Sequence, residues 1–282
     1  MKNIIHPPYF HESNSDIFTR KKQYGVSLIE LMVGISIGLL TVMVAMAALM
    51  ASRGISGTVS EASSLQQQAA YALRTMGLQA RQAGSVQLNL TSGQVVDVSV
   101  PSDPLDKVAF EAHSNRKNIS INGKEAPGKD EFKLELAYQN YEEILVGGTK
   151  GFLFRNCLGE SSSGILVESK FSLDGSELKC KGSESSQAII ENVKNIQFTY
   201  LVQDNTKPGY PTIQKLKASD ISSDGWSNVL GIEICLELMG TERIDTVGQK
   251  YMDCDGKETD LGNKLHMVFR NTYQIRSQGS PI

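Results

Sequence analysis

Glu30 is the residue whose type and position ask most of its surroundings. It stands near the start of Val26-Ser27-Leu28-Ile29-Glu30-Leu31-Met32-Val33, and no further charge follows until after Met50. A carboxylate in a membrane segment costs roughly 2.5–3.5 kcal/mol on the lenient insertion scale, so the expected chemistry is pairing with a cation. Three other groupings offer chemistry. Gly34-Ile35-Ser36-Ile37-Gly38 spells G-x-S-x-G, the nucleophile elbow of serine hydrolases, but that motif needs a strand–turn–helix setting and here lies in the apolar run. The same residues spell G-x-x-x-G, which permits close helix approach in lipid, although glycine is also simply common in membrane helices. Asp253, Asp255, Glu258 and Asp260 surround Cys254 and could suit a hard cation, yet their spacing departs from a calcium loop and reads first as a solvated turn. No P-loop and no H-E-x-x-H occurs, and His6, His11, His113 and His266 form no ligand-spaced cluster. We expect no catalytic residue, metal or other cofactor.

Four cysteines remain: Cys157, Cys180, Cys235 and Cys254. Three connectivities are open to them. Pairing Cys157 with Cys180 and Cys235 with Cys254 closes two short local loops and is favoured on that ground.

These residues need elements to hold them. Leu31 to Met50 is 20 uncharged residues, mostly apolar. At 1.5 Å rise each they span about 30 Å of hydrocarbon. A secretory signal peptide is the rival reading, with Ala45-Met46-Ala47 as a cleavage site, but its apolar core is usually about 7–15 residues. Lys21 and Lys22 precede the run and no comparable cluster follows it. The positive-inside rule then keeps the N-terminus cytoplasmic and exports everything after about residue 53. Disulfides persist on that side.

From Thr58 to Ala83 a helical period returns: Leu65, Ala69, Leu73, Met76, Ala80 and Ala83 define one apolar face, and Gly84 offers a stop. If both helical parts join, the helix runs from about residue 27 to 83 and measures about 85 Å. Ser52, Gly54, Ser56 and Gly57 weaken it locally. Beyond Gly84 the period becomes two. Phe132–Leu136, Ile196–Tyr200, Leu265–Arg270 and most clearly Ile232–Leu238 alternate, as antiparallel strands with one buried and one solvated face do. Residues 144–154 and 165–171 are further strand candidates. Asn122-Gly123, Asp174-Gly175, Asp224-Gly225 and Asp255-Gly256 carry turn chemistry. Residues 203–224 read as a long polar surface excursion or loop. The expected class is α+β, a long N-terminal helix packed on a β-rich antiparallel head. Its parts are a leader (1–25), a transmembrane half of the helix (26–52), an amphipathic half (53–84) and an extracytoplasmic head (85–282).

Composition sets limits. The 282 residues carry a formal net charge of −3, and residues 1–25 hold +2 of it, leaving −5 on the rest. No basic stripe offers phosphate neutralisation, so nucleic acid is not an expected partner.

Gly25-Val26-Ser27-Leu28-Ile29-Glu30 resembles the type IV prepilin signal. In that family a basic leader (here Lys21 and Lys22) ends in glycine, cleavage follows, the next residue is N-methylated, and a glutamate stands fifth in the mature chain. Counted from Val26, Glu30 is fifth. Valine replaces the usual phenylalanine at the first mature position and serine the usual threonine at the second. In the head, Glu191–Tyr200 and Trp226–Val229 resemble segments flanking a variable loop in PilW-type minor pilins, relatives of the J-type type II secretion pseudopilins. The resemblance implies cleavage between Gly25 and Val26 by prepilin peptidase, methylation of Val26, and a Glu30 salt bridge during assembly. It implies as partners major and minor pilins, the inner-membrane assembly platform and, before assembly, the bilayer. The implied function is that of a minor pilin of a type IV pilus, with a type II secretion pseudopilin as the alternative. A membrane-tethered enzyme or receptor is a third reading and requires residues 1–25 to be retained.

Overall fold

The computed structural model describes residues 25–85, 87–88, 110–111, 121–128, 131–164, 166–206, 209–246 and 248–276. Lys21 and Lys22 lie outside the described residues. The chain forms two compact units, Met1–Arg53 and Gly54–Ile282, and the helix α1 (Leu28–Gln82) contributes to both.

In the first unit, every residue from Leu28 to Met50 is exposed. These 23 residues are long and apolar enough to cross a membrane. Polar atoms in that stretch need partners, since lipid offers none. The Ser36 hydroxyl donates to the Met32 carbonyl and Thr41 to the Gly38 carbonyl, each at 2.8 Å. Ser36 therefore sits mid-helix bonded to its own backbone, and the hydrolase elbow has no counterpart here.

In the second unit, Leu65, Ala69, Ala72, Met76 and Ala80 of α1 are buried, as is Ala83 just past its end. Ala72 takes the central place expected for Leu73, which is only partly buried. A face so rich in alanine lets the helix backbone come close to the strands. At Gly77 there is no room for a Cβ, because the Tyr273 ring occupies that space. Gly84, at φ +77°, ends the helix and donates its N–H to the Ala137 carbonyl at 3.0 Å.

The strands follow in order: β1 (Gln87–Leu88), β2 (Phe110–Glu111), β3 (Ile121–Gly123), β4 (Leu134–Gln139), β5 (Glu142–Ile144), β6 (Lys150–Phe152), β7 (Leu166–Asp174), β8 (Glu177–Lys181), β9 (Ser186–Ile190), β10 (Val193–Asp204), β11 (Thr212–Leu216), β12 (Val229–Arg243), β13 (Lys250–Met252), β14 (Glu258–Asp260) and β15 (Lys264–Gln274). All described pairings are antiparallel. Two main sheets have the orders β11-β10-β12-β15 and β3-β4-β7-β8-β9. The inward residues of β12, Ile232, Ile234, Leu236 and Leu238, are fully buried, and they share one core with α1 and both sheets. Three polar side chains add direction to this packing. The Tyr273 hydroxyl donates to the Leu73 carbonyl at 2.7 Å, Gln79 bonds the Ser169 hydroxyl and the Arg155 carbonyl, and Glu61 accepts the N–H groups of Thr241 and Glu242.

Four details differ from the sequence reading. Residues 203–224 are not wholly a loop: Thr212–Leu216 forms β11 and pairs with the outer end of β10. Asn122-Gly123 is no turn but lies within β3, where glycine leaves space for the Tyr200 hydroxyl. The strand expected over 144–154 is instead part of a hairpin over 142–152, turning at Gly147 and Gly148 with φ of +96° and +81°. The outer face of β12 is covered rather than solvated at Cys235 and Glu237, 4% and 2% exposed, because the β13–β14 hairpin lies over it.

Candidate assembly site at the helix start

Gly25, Val26 and Ser27 precede α1 without regular structure, and α1 begins at Leu28. Ser27 is therefore the N-cap and Glu30 the third helical residue. The Glu30 N–H donates to the Ser27 hydroxyl oxygen at 3.2 Å, and the Ser27 N–H donates to Glu30 Oε2 at 3.0 Å. The Ser27 carbonyl accepts the Leu31 N–H at 3.1 Å. This is a capping box, which satisfies two amide donors that a helix start would otherwise leave open. The positive end of the helix dipole also favours a carboxylate in this turn.

The surroundings are apolar and open. Val26, Leu28 and Ile29 are 71%, 78% and 69% exposed. Glu30 is exposed as well, and only its Oε2 takes part in the box. Oε1 has no hydrogen bond among the described residues. The site thus presents one free carboxylate oxygen four residues beyond Val26, at one end of the span Leu28–Met50. An alkylammonium or terminal amine of matching height could meet it. Glu30 is the one charged residue within that span.

Ser27 is the functional side chain that the sequence reading passed over, treating it as a departure at the second mature position. The signal was present: S-x-x-E ahead of an apolar run is a capping-box pattern.

The other candidates lie elsewhere. Cys157 bonds Cys180 and Cys235 bonds Cys254, with Cα–Cα distances of 6.4 and 5.8 Å. Both bridges are in the head. The acidic group near Cys254 does not converge on a point. Asp253 turns onto its own loop and accepts the N–H groups of Lys257 at 2.8 Å and Asp255 at 2.9 Å, together with the Thr259 hydroxyl. Those bonds, Lys257 first, hold its carboxyl below the ordinary range. Asp255 faces Lys217 at 3.9 Å and Glu258 faces Lys250 at 3.3 Å. Among the described residues no group of three or more His, Cys, Asp or Glu side chains is placed to hold a metal ion.

Comparison with known proteins bears on the helix start. The prokaryotic N-terminal methylation motif matches residues 20–46. No curated protein matches the chain. Among solved structures, a type IV-like pilin from Thermus thermophilus is similar over 52% of this chain and 78% of that one, at 10% identity and a TM-score of 0.28, a superposition too loose to carry an argument. The match is local: the prokaryotic N-terminal methylation motif encloses Gly25, Val26, Ser27 and Glu30 at the head of a long apolar helix.

Proposed function

We propose that this chain is a minor pilin of the PilW type that primes, or joins, a type IV pilus. The observation that carries the reading is the methylation motif over residues 20–46, with Glu30 fifth after the Gly25–Val26 bond. Prepilin peptidase would cut that bond on the cytoplasmic side of the inner membrane. Cleavage leaves a cationic amine on Val26, which is then methylated. An arriving subunit, offset along the assembly, meets its neighbour's terminus through the free oxygen of Glu30. Each charge is costly alone in low dielectric, so their pairing selects the register. The apolar helices then leave the bilayer together under the action of the inner-membrane platform, among major and minor pilins. The β-rich head supplies specificity. Support for a minor role comes from the resemblance of Glu191–Tyr200 and Trp226–Val229 to PilW-type segments; the first runs into β10, the second is a 3-10 turn ending on the first residue of β12, and the two bracket the β11 excursion.

N-terminal sequencing and intact mass of the protein from its native membrane test this. The expected result is a chain starting at Val26, carrying one methyl group, and no cleavage when Gly25 is replaced by a bulky residue. A chain retaining residues 1–25 would reject the proposal. Loss of piliation on deletion supports the pilus role, whereas intact pili with a block in protein export would assign the chain to a type II secretion pseudopilus.

A further inference from the structure

The outer face of β12 holds a second concentration of ionisable groups. Glu237 is 2% exposed. It accepts the Tyr251 hydroxyl and lies 3.0 Å from Lys194 Nζ. His266 Nδ1 stands 3.5 Å from the same carboxylate oxygen, on a side chain 5% exposed, and makes no hydrogen bond. The His266 and Tyr251 rings stack at 4.6 Å and 15°. Lys194 also bonds the Tyr251 hydroxyl and sits 5.1 Å from the ring centre. Four elements meet here: β10 gives Lys194, β12 Glu237, β15 His266 and β13 Tyr251. Lys264 adds a positive charge from His266's own strand, and β14 sets the non-titrating Thr259 opposite Tyr251.

The β13–β14 hairpin is two-stranded and short, a unit that is marginal without tertiary contacts. Beside the exposed Lys217–Asp255 pair at 3.9 Å, it has two moorings. One is the Cys235–Cys254 disulfide, reinforced by Arg270, whose guanidinium donates to the carbonyls of Asp253 at 2.7 Å and Cys254 at 3.1 Å. The other is Tyr251 on the Glu237 cluster.

Charge balance distinguishes the moorings. With His266 neutral, Lys194 and Glu237 cancel. One proton added to either the imidazole or the carboxylate leaves a net positive charge in a covered site, which burial disfavours. In keeping with this, burial first and then Lys194 outweigh the pull of Glu237 and hold His266 below its ordinary value of 6.5. We infer that the hairpin is a strap, hinged at Cys254 and latched at Tyr251, whose latch opens on acidification while its hinge stays closed.

Hydrogen exchange of the full chain in detergent micelles, corrected for intrinsic rates, tests this at about pH 7.5 and about pH 5.5, either side of the ordinary histidine value. Amides of Lys250–Met252 are expected to lose protection by up to about tenfold at the lower pH, because a histidine of ordinary value in the open state takes up its proton mainly over the lower of those two pH units. Those of Cys254–Gly256 should hold until the disulfide is reduced. His266→Phe keeps the stack without the proton and should abolish the pH response; His266→Gln serves if that variant misfolds. Equal protection at both pH values in the unmodified chain would overturn the latch, as would an undiminished response in both variants. Loss of protection at Cys254–Gly256 without reduction would overturn the hinge.

Discussion

The Ser27 hydroxyl oxygen accepts the Glu30 N–H at 3.2 Å while the Glu30 carboxylate accepts the Ser27 N–H at 3.0 Å, so the one charge in the apolar span closes the start of its own helix. That duty uses Oε2. The proposed pairing with a neighbour's terminal amine uses Oε1, and the two roles are compatible in one side chain. They are also separable by substitution.

Ser27→Ala removes the cap and keeps the carboxylate, at a cost of about 1 kcal/mol to the first turn. Glu30→Ala removes the carboxylate and the bond it accepts from the Ser27 N–H, while the Ser27 hydroxyl still accepts the N–H of residue 30. If Glu30 selects register, Glu30→Ala assembles poorly although it is processed, and Ser27→Ala assembles nearly as the parent does. Equal defects in the two variants, scored by pilus yield and mature mass, would reduce Glu30 to a cap.

Gly77→Ala drives a Cβ into the Tyr273 ring, with the Cζ atom at 2.6 Å. Overpacking of this kind costs about 1–3 kcal/mol. Tyr273→Phe loses the bond to the Leu73 carbonyl, about 1 kcal/mol, and the one accepted from the amide of Asn271, an exposed residue that water can serve instead. Thermal unfolding should rank Gly77→Ala as the more damaging, and Gly77→Ala combined with Tyr273→Ala should recover part of the loss from Gly77→Ala as the clash disappears.

The disulfides close loops of similar length, with separations of 23 and 19 residues. The chain-entropy model then gives each about 3 kcal/mol. Alkylation without reductant should label none of the four cysteines, and Cys157→Ser with Cys180→Ser should lower the melting temperature about as much as the Cys235/Cys254 pair of changes. A thiol that labels in the unreduced protein would contradict the pairing.

Glu160 joins the Cys157 loop to the β8–β9 turn. It accepts from the Ser185 hydroxyl, the Asn156 amide and the Ser183 N–H, and these bonds, Ser185 first, hold its carboxyl below the ordinary 4.5. A folded value below the unfolded one means stability that is present above 4.5 and is lost as pH falls through the lower, folded value. Glu160→Gln should therefore flatten the acid limb of a stability–pH curve below 4.5, leaving its neutral shape unchanged. An identical acid limb in the two proteins would exclude the role.

Whatever depends on neighbours along the chain is legible before folding. Glu30 beside Ser27, the apolar run to Met50, the stop at Gly84 and the alternation of Ile232, Ile234, Leu236 and Leu238 are all local patterns, because a helix repeats every 3.6 residues and a strand every two. Features that depend on segments meeting only after folding are not. Thr212–Leu216 is a strand because β10 offers it an edge. Gly123 is fixed by the ring of Tyr200, and Gly77 by that of Tyr273. Glu61 finds the amides of Thr241 and Glu242 some 180 residues away. Glu237 alternates as a solvent-facing residue should, and is buried because a disulfide-hinged hairpin folds over it. Periodicity says which face of an element turns from its own core; it cannot say that another part of the chain will cover that face too.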